Sequence, residues 1–472
     1  MTKKQLPNKK IRLRFPPSPT GPLHIGNART ILFNYLFAKK HEGEIVLRIE
    51  DTDKERSKQE WVQNIIDELL WLGIGWDEGP DIGGKFGPYK QSQRIGTYQG
   101  YLEKLLAEKK AYYCNCSTEE LEAKRQDQQS RGVAPKYDGK CRDENHASGV
   151  IRFKVAGEKV KFTDLVRGEV EFDMSLVGDM VIAKNLQEPL YNLAVVIDDF
   201  EMQISHVIRG EDHIANTPKQ ILLQEALGFD LLTYAHLPLL LNPDKSKMSK
   251  RAGDVAVQDY HKAGYLPEAL INFMVLLGWN PGTEREAFTL KELEKEFSLE
   301  KVQKAGAVFN LQRLDFMNGL YIRQKSPAAL AKLCAPFLPE HNLPAKTVEK
   351  IIAAYQERMK KLSDITELAD FFFKEKLEYD PALLVWDTMT NKEVKQSLLL
   401  CDKTLQGVGK WESAAIQKAL DAAAGQSKGQ VFWPLRIALS GKKASAPAPE
   451  IAEILGKEKT LERIQEGIDK LK

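Results

Sequence analysis

Two short segments hold the residues best suited to handling a polyphosphate. The first is Pro17-Ser18-Pro-Thr-Gly-Pro-Leu-His24-Ile-Gly26-Asn27. His24 can donate to a phosphate oxygen without titrating, and Asn27 adds a second donor. Gly26 lets an anion approach the backbone where a helix is expected to begin, and a helix start offers free N–H groups and the positive end of its dipole. The second segment is Asn242-Pro-Asp-Lys-Ser-Lys247-Met248-Ser249-Lys250-Arg251. Ammonium groups at Lys247 and Lys250 suit a triphosphate that gathers charge as pyrophosphate departs. Singly, each has a plainer reading: a loop histidine and a solvated charge run.

Three further residues fit a small zwitterion. Arg14 and Arg209 stand at the ends of predicted strands, and a guanidinium presents a two-pronged fork to a carboxylate. Glu50, also at a strand end, can face an ammonium. The plainer readings are surface ion pairs for the arginines and, for Asp51 and Asp53, caps of a helix starting near Asp53. A separate cluster, Cys114-Asn-Cys116 and Tyr137-Asp-Gly-Lys-Cys141, brings together three of the five cysteines. Three thiolates and one further donor complete a zinc tetrahedron. The alternative is three unpaired thiols in a reducing compartment.

These groups need elements to position them. Ile11–Phe15 reads as a strand ended by Pro16-Pro17, and a helix follows from Gly26 on the spacing of Ile31, Leu32, Tyr35 and Leu36. Glu44–Ile49 is a second strand, so the segment is a βαβ unit of a parallel sheet. Leu193–Ile197, Ile204–Arg209 and His236–Leu241 read as later strands, with a helix over Thr217–Leu227. Between them, short β runs at Val150–Val155, Val160–Leu165 and Met180–Ala183 resemble a domain inserted into a split sheet. Helices are expected at Glu268–Leu277 and Leu290–Phe297. From Pro327 onward the pattern is helical throughout, with Lys442–Pro449 as the nearest thing to a linker.

Composition narrows the class without choosing a function. The chain has 472 residues, 43% hydrophobic and 28% charged, with Lys+Arg 68 against Asp+Glu 66. At about 150 residues per domain this is a multidomain chain, neither fibrous nor disordered. The basic N-terminus lacks the apolar core of a signal peptide, and no run is long enough to span a membrane. A cytoplasmic protein is expected. A net charge of +2 neither requires nor forbids a nucleic-acid partner, because basic surface can be local.

The paired motifs His24-Ile-Gly26 and Lys247-Met-Ser-Lys250-Arg251, in this order, resemble those of class I aminoacyl-tRNA synthetases. Arg14-Phe-Pro-Pro-Ser18, Arg48-Ile-Glu50-Asp-Thr-Asp53, Tyr191-Asn-Leu-Ala-Val-Val-Ile-Asp-Asp and Val207-Ile-Arg209-Gly-Glu-Asp212 extend the likeness, over most of residues 11–325, to bacterial-type glutamyl-tRNA synthetases. Glutaminyl-tRNA synthetases typically have Asp-Asp-Thr-Asn where this chain has Glu50-Asp-Thr-Asp53, and a β-rich C-terminal half.

The resemblance implies that His24, Lys247 and Lys250 are catalytic. Arg14, Tyr191 and Arg209 would hold the glutamate side chain, with Ser18 and Glu50 at its α-carboxylate and α-amino ends. ATP would meet His24, Gly26, Asn27, Asp212, Leu240, Met248 and Lys250, and would enter as its Mg2+ complex. Some members hold structural Zn2+ through a Cys-x-Cys, Tyr-x-x-x-Cys set. Here that set is Cys114, Cys116, Tyr137 and Cys141, with Asp143 and His146 as other candidates for the fourth ligand.

The expected architecture is α/β: a Rossmann-like parallel sheet split by an α+β insert, followed by an all-α C-terminal half. Its parts are 1–110 and 193–255 for the catalytic domain, 111–192 for an acceptor-binding insert, 256–326 for a helical connector and 327–472 for an anticodon-binding domain. The expected partners are tRNA-Glu, ATP and L-glutamate, with no membrane, for a monomer. The alternatives are an enzyme of relaxed specificity that also charges tRNA-Gln, an adenylating relative serving another acceptor, and a non-catalytic RNA-binding relative.

Overall fold

The first strand is ended by its own prolines. In the computed structural model, which describes residues 10–53, 55–157, 159–248 and 256–471, β1 (Arg12–Phe15) is buried throughout and stops before Pro16 and Pro17. α1 (Ile25–Lys40) follows, and β2 (Glu44–Leu47) lies parallel to β1 with Arg14 opposite Val46. Gly43 makes this return possible, since a Cβ there would sit 2.7 Å from the Ile11 carbonyl oxygen.

α2 (Gln59–Trp71) and α3 (Ile95–Ala107) precede an antiparallel sheet. Its first members are β3 (Ala111–Cys114) and, after α4 (Thr118–Ser130), β4 (Val150–Phe153). The hairpin β5 (Lys159–Asp164) and β6 (Gly168–Asp173) leaves this sheet, which β7 (Met180–Asn185) and β8 (Glu188–Pro189) complete in the order β3-β4-β7-β8.

The chain then returns through α5 (Tyr191–Glu201), β9 (His206–Gly210), α6 (Thr217–Leu227), β10 (Thr233–Leu237) and β11 (Leu240–Leu241). β10 pairs in parallel with β9 on one side and with β5, at Asp164, on the other. Ser205 N–H donates to the Arg12 carbonyl at 2.9 Å, which brings the start of β9 beside β1. Across that junction the strands read β2-β1-β9-β10-β5-β6. After α7 (Val257–Lys262), α8 (Pro267–Leu276) and α9 (Leu290–Glu296), β12 (Ala307–Val308) pairs with β11.

The chain forms two compact units. The first runs through Lys262 and takes in Pro267–Leu311; the second comprises Ala263–Leu266 and the chain from Gln312. The second unit is helical: most of α10 (Leu311–Gln324), then α11 (Pro327–Cys334), α12 (Ala345–Tyr355), α13 (Asp364–Ala369), α14 (Asn391–Gln406), α15 (Ser413–Ala424), α16 (Lys428–Ser440), α17 (Ala448–Leu455) and α18 (Lys457–Asp469). Leu330, Ile351, Leu398, Ile416, Leu435 and Ile464 are fully buried within it. Cys334 and Cys401 are core residues there, and burial pushes both thiols up to about 12.

Four sequence readings need correction. Leu193–Ile197 is not a strand but the centre of α5. Every residue from Leu193 to Asp199 is buried, so no polar face marks the helical period, and the β-branched run Val195-Val196-Ile197 imitates a strand. His236–Leu241 is split at Pro238 into two strands. Asp51 and Asp53 do not cap α2, whose N-cap is Lys58. Asp51 accepts from the Ser92 N–H at 2.8 Å and Asp53 from the Arg56 N–H at 3.2 Å. Within Lys442–Pro449, Ser445, Ala446 and Ala448 are buried, so this stretch is a packed turn rather than a linker.

Candidate active site

The edge of the parallel strands opens into a cleft of about 580 Å³. Arg14 comes to it from the end of β1, Glu50 from beyond β2, Tyr191 from the start of α5 and Arg209 from β9. Ser18, His24, Gly26 and Asn27 line it from the β1–α1 loop and the start of α1, and Asp212, Leu240, Lys247 and Met248 from the later strands and loops. The cleft therefore gathers every described residue expected to hold amino acid or nucleotide. Ser249, Lys250 and Arg251 lie outside the described residues.

His24 is the N-cap of α1, and its Nδ1 accepts the Gly26 N–H at 3.0 Å. Nε2 is therefore the protonated, donating nitrogen of a neutral imidazole. A Cβ on residue 26 would lie 3.2 Å from that Nδ1, a tight approach that would crowd the capping imidazole. On the opposite wall Lys247 Nζ lies 3.2 Å from Asp212 Oδ2. The Leu240 carbonyl accepts from the Met248 N–H at 3.0 Å, tying the loop to β11.

The arginines are not surface ion-pair partners. Arg14 is 1% exposed, and its Nε donates to Asp199 at 3.1 Å. Arg48, fully buried, donates to Asp199 at 2.8 Å and stands 3.4 Å from Glu50 and 3.7 Å from Asp198. Asp198 also accepts from Arg94 at 2.6 Å, Gln91 at 2.8 Å and the Tyr98 hydroxyl at 2.9 Å. Three guanidinium groups thus meet three carboxyl groups in one buried network. Burial pushes the Glu50 carboxyl up to about 7, although Arg48 and Arg14 pull it down.

Sequence reasoning left Arg48, Asp198 and Asp199 without a role. A helical period through Tyr191, Val195, Asp198 and Asp199 was the signal that would have found the two acids, and reading a strand there concealed it.

The thiol cluster fits zinc. Cys116 Sγ lies 3.6 Å from Cys141 Sγ, and the three sulfurs are within 4.8 Å of one another. A tetrahedron with metal–sulfur bonds of about 2.3 Å has edges of about 3.8 Å. The Tyr137 hydroxyl is 3.4 Å from Cys114 Sγ and 3.5 Å from Cys116 Sγ. Burial opposes ionisation of Cys114, but hydrogen bonds, chiefly from Tyr137, outweigh it and bring the thiol down to about 7. Of the other candidates, His146 groups with Glu144 and Cys141, whereas Asp143 joins no such group among the described residues.

In the second unit, Trp411 and Trp433 are packing residues. Trp411 donates to the Ala452 carbonyl and Trp433 to the Leu383 carbonyl, each at 2.9 Å. Arg323, Arg358 and Lys360 line a separate hollow of about 470 Å³ with Phe316, which is 59% exposed.

Residues 10–316 match the family of class I tRNA synthetases (E and Q), catalytic domain, and residues 329–468 match an anticodon binding domain. The glutamate–tRNA ligase of Dehalococcoides mccartyi is 43% identical over 98% of each chain. That of Halalkalibacterium halodurans is 43% identical over 96% of this chain and 98% of its own. The crystal structure of a glutamate tRNA ligase from Elizabethkingia meningosepticum in complex with its amino acid matches with a TM-score of 0.90 and 34% identity. It covers 98% of this chain and 100% of that one. On both comparisons, this chain belongs to the class I tRNA synthetases of the glutamate and glutamine group.

Proposed function

We propose that this chain is a glutamate–tRNA ligase: it joins L-glutamate to the 3′ end of tRNA-Glu at the expense of ATP. The observation that carries this reading is the pairing, in one cleft, of two buried arginines with a neutral N-cap histidine at a helix start. Arg14 and Arg209, with Tyr191, hold the side-chain carboxylate. Glu50 takes the α-ammonium, and Ser18 the α-carboxylate. That carboxylate attacks the α-phosphorus of ATP, glutamyl-adenylate forms and pyrophosphate leaves.

His24 donates from Nε2 to the phosphoryl oxygens, Lys247 and Lys250 neutralise the departing charge, and Gly26 and Asn27 admit the phosphates to the start of α1. Asp212 faces the ribose, while Leu240 and Met248 bound the adenine. ATP enters as its Mg2+ complex. A terminal ribose hydroxyl of the tRNA then attacks the activated carbonyl and AMP departs. No side chain becomes covalently attached, so the rate comes from positioning and electrostatics.

Segment 111–192 receives the acceptor end, 256–326 the stem and 327–472 the anticodon. Cys114, Cys116, Cys141 and Tyr137 would hold a structural zinc that fixes the turn after β3. No helix among the described residues is long and apolar enough to cross a membrane. The enzyme acts as a monomer in cytoplasmic translation.

Charging of purified tRNA-Glu and tRNA-Gln with labelled glutamate, with labelled glutamine as comparison, tests the reading. Glutamate on tRNA-Glu alone is expected. Charging of both with glutamate would keep the chemistry and widen the RNA specificity. Charging of neither by folded protein would overturn the proposal.

A further inference from the structure

Arg209 is held from behind. Its Nε donates to His236 Nε2 at 3.3 Å and its Nη2 to Thr217 Oγ1 at 2.8 Å. Nη1 is buried and has no partner among the described residues, although Arg209 lines the cleft. A desolvated donor without an acceptor is unfavourable, and a ligand carboxylate relieves it.

His236, in β10, and Asp164, the last residue of β5, are both buried, and His236 Nδ1 lies 2.6 Å from Asp164 Oδ2. Asp164 Oδ1 accepts three backbone N–H groups: Val166 at 2.9 Å, Arg167 at 2.8 Å and His236 at 3.2 Å. A carboxylate so supplied with donors stays ionised. An imidazole that donates from Nδ1 to a carboxylate must accept at Nε2 if it is to receive the Arg209 N–H. Its Nε2 also lies 3.0 Å from Thr217 Oγ1, whose oxygen accepts from Arg209 and whose proton has its own acceptor in the His213 carbonyl at 3.5 Å, so the one lone pair of Nε2 is left to the Arg209 N–H. Every hydrogen in the chain Arg209 to His236 to Asp164 then has one direction. An imidazolium would set N–H against N–H and push the guanidinium away.

We infer that Asp164 and His236 are positioning residues for amino-acid specificity, locking Arg209 so that Nη1 is left for the side-chain carboxylate of glutamate. Neither is among the described residues that line the cleft. The role reaches glutamate through Arg209 and rests on the proposed function in that one respect.

His236→Asn keeps a donor toward Asp164 and removes the acceptor facing Arg209, whereas His236→Gln puts an acceptor back near the lost Nε2. In full-chain charging assays, His236→Asn is expected to raise the KM for glutamate about tenfold and to reduce the preference for glutamate over glutamine by a similar factor. The KM values for ATP and tRNA should stay within about twofold, and His236→Gln should recover most of the loss. Equal losses for all three substrates, or no recovery with Gln, would overturn the inference.

Nitrogen NMR of the unliganded wild-type chain reads the ring without any substrate. An unprotonated Nε2 at neutral pH is expected, and a protonated one would break the chain of bonds and the inference with it. Wild-type protein that shows the expected ring but charges no tRNA with glutamate would overturn the proposed function, and glutamate specificity with it, while leaving the geometry around Arg209 standing.

Discussion

A carboxyl beside two guanidinium groups would ordinarily be strongly acidic, yet Glu50 is pushed up to about 7, because burial outweighs Arg48 and Arg14, and Asp198 and Asp199 already claim those cations. The raised value means that the folded chain favours neutral Glu50. Its contribution to stability is complete below the ordinary carboxylate range and is lost as pH rises through about 7. An arriving α-ammonium reverses that preference. Glutamate binding should therefore release a proton near neutrality and weaken as pH falls below 7. Calorimetry in buffers of different ionisation enthalpy measures this directly, and proton uptake would contradict it. Asp199 is the other half of the balance, since Arg14 and Arg48 both donate to it. Asp199→Asn removes one buried negative charge from two buried arginines. Denaturant unfolding should show a loss of about 3 kcal/mol, with a raised KM for glutamate. A neutral result would mean that Asp198 and Glu50 suffice.

At the level of elements, α1 and α5 differ in how much of them the sequence discloses. α1 announces itself through prolines before it, a histidine cap and a glycine in its first turn, all local signals. α5 has no exposed stripe, so its buried acids pass for a polar end to an apolar strand. The clamp behind Arg209 was equally hidden, because Asp164 and His236 meet only when β5 and β10 pair, a contact no local pattern encodes. The thiol cluster was legible because cysteine spacing is local. Metal analysis should find a single zinc per chain. Cys141→Ser should lose it and weaken charging of tRNA while sparing the KM for glutamate, and metal-free protein that charges normally would refute the assignment. Helix ends give the corresponding prediction in the second unit. Arg463, on α18, is 1% exposed and donates to the carbonyls of Leu439 at 2.6 Å, Phe371 at 2.7 Å and Lys374 at 3.0 Å. Burial brings the guanidinium down to about 10, although Glu466 and Glu462 pull it up. Arg463→Met strands three carbonyls and should cost about 3 kcal/mol in thermal unfolding, without changing the KM for glutamate.

For the whole molecule, a net charge of +2 cannot by itself attract a polyanion as large as tRNA. Attraction must come from local groups; the hollow bounded by Arg323, Arg358 and Lys360 sets cations beside an exposed ring, Phe316, but also holds Asp315 and Glu357, the latter 3.9 Å from Arg323, which leaves Arg358 and Lys360 as the cations to test there. Surface cations that meet phosphates release condensed counterions, so affinity falls as a power of salt concentration, with about 0.7 to 0.9 in the exponent per phosphate engaged. The clamp for glutamate is different in kind. Arg14 is 1% and Arg209 5% exposed, and a buried pair is little screened by mobile ions. Raising salt should therefore increase the KM for tRNA steeply while leaving the KM for glutamate nearly flat. If the hollow carries RNA, Arg358→Ala and Lys360→Ala should each reduce the salt exponent by about one, with no change in the glutamate constant. Parallel salt responses for both substrates would mean that the cleft is open to solvent ions and that its arginines do not form the dry clamp proposed for them. A steep tRNA response left intact by both substitutions would instead place the phosphate contacts elsewhere on the chain.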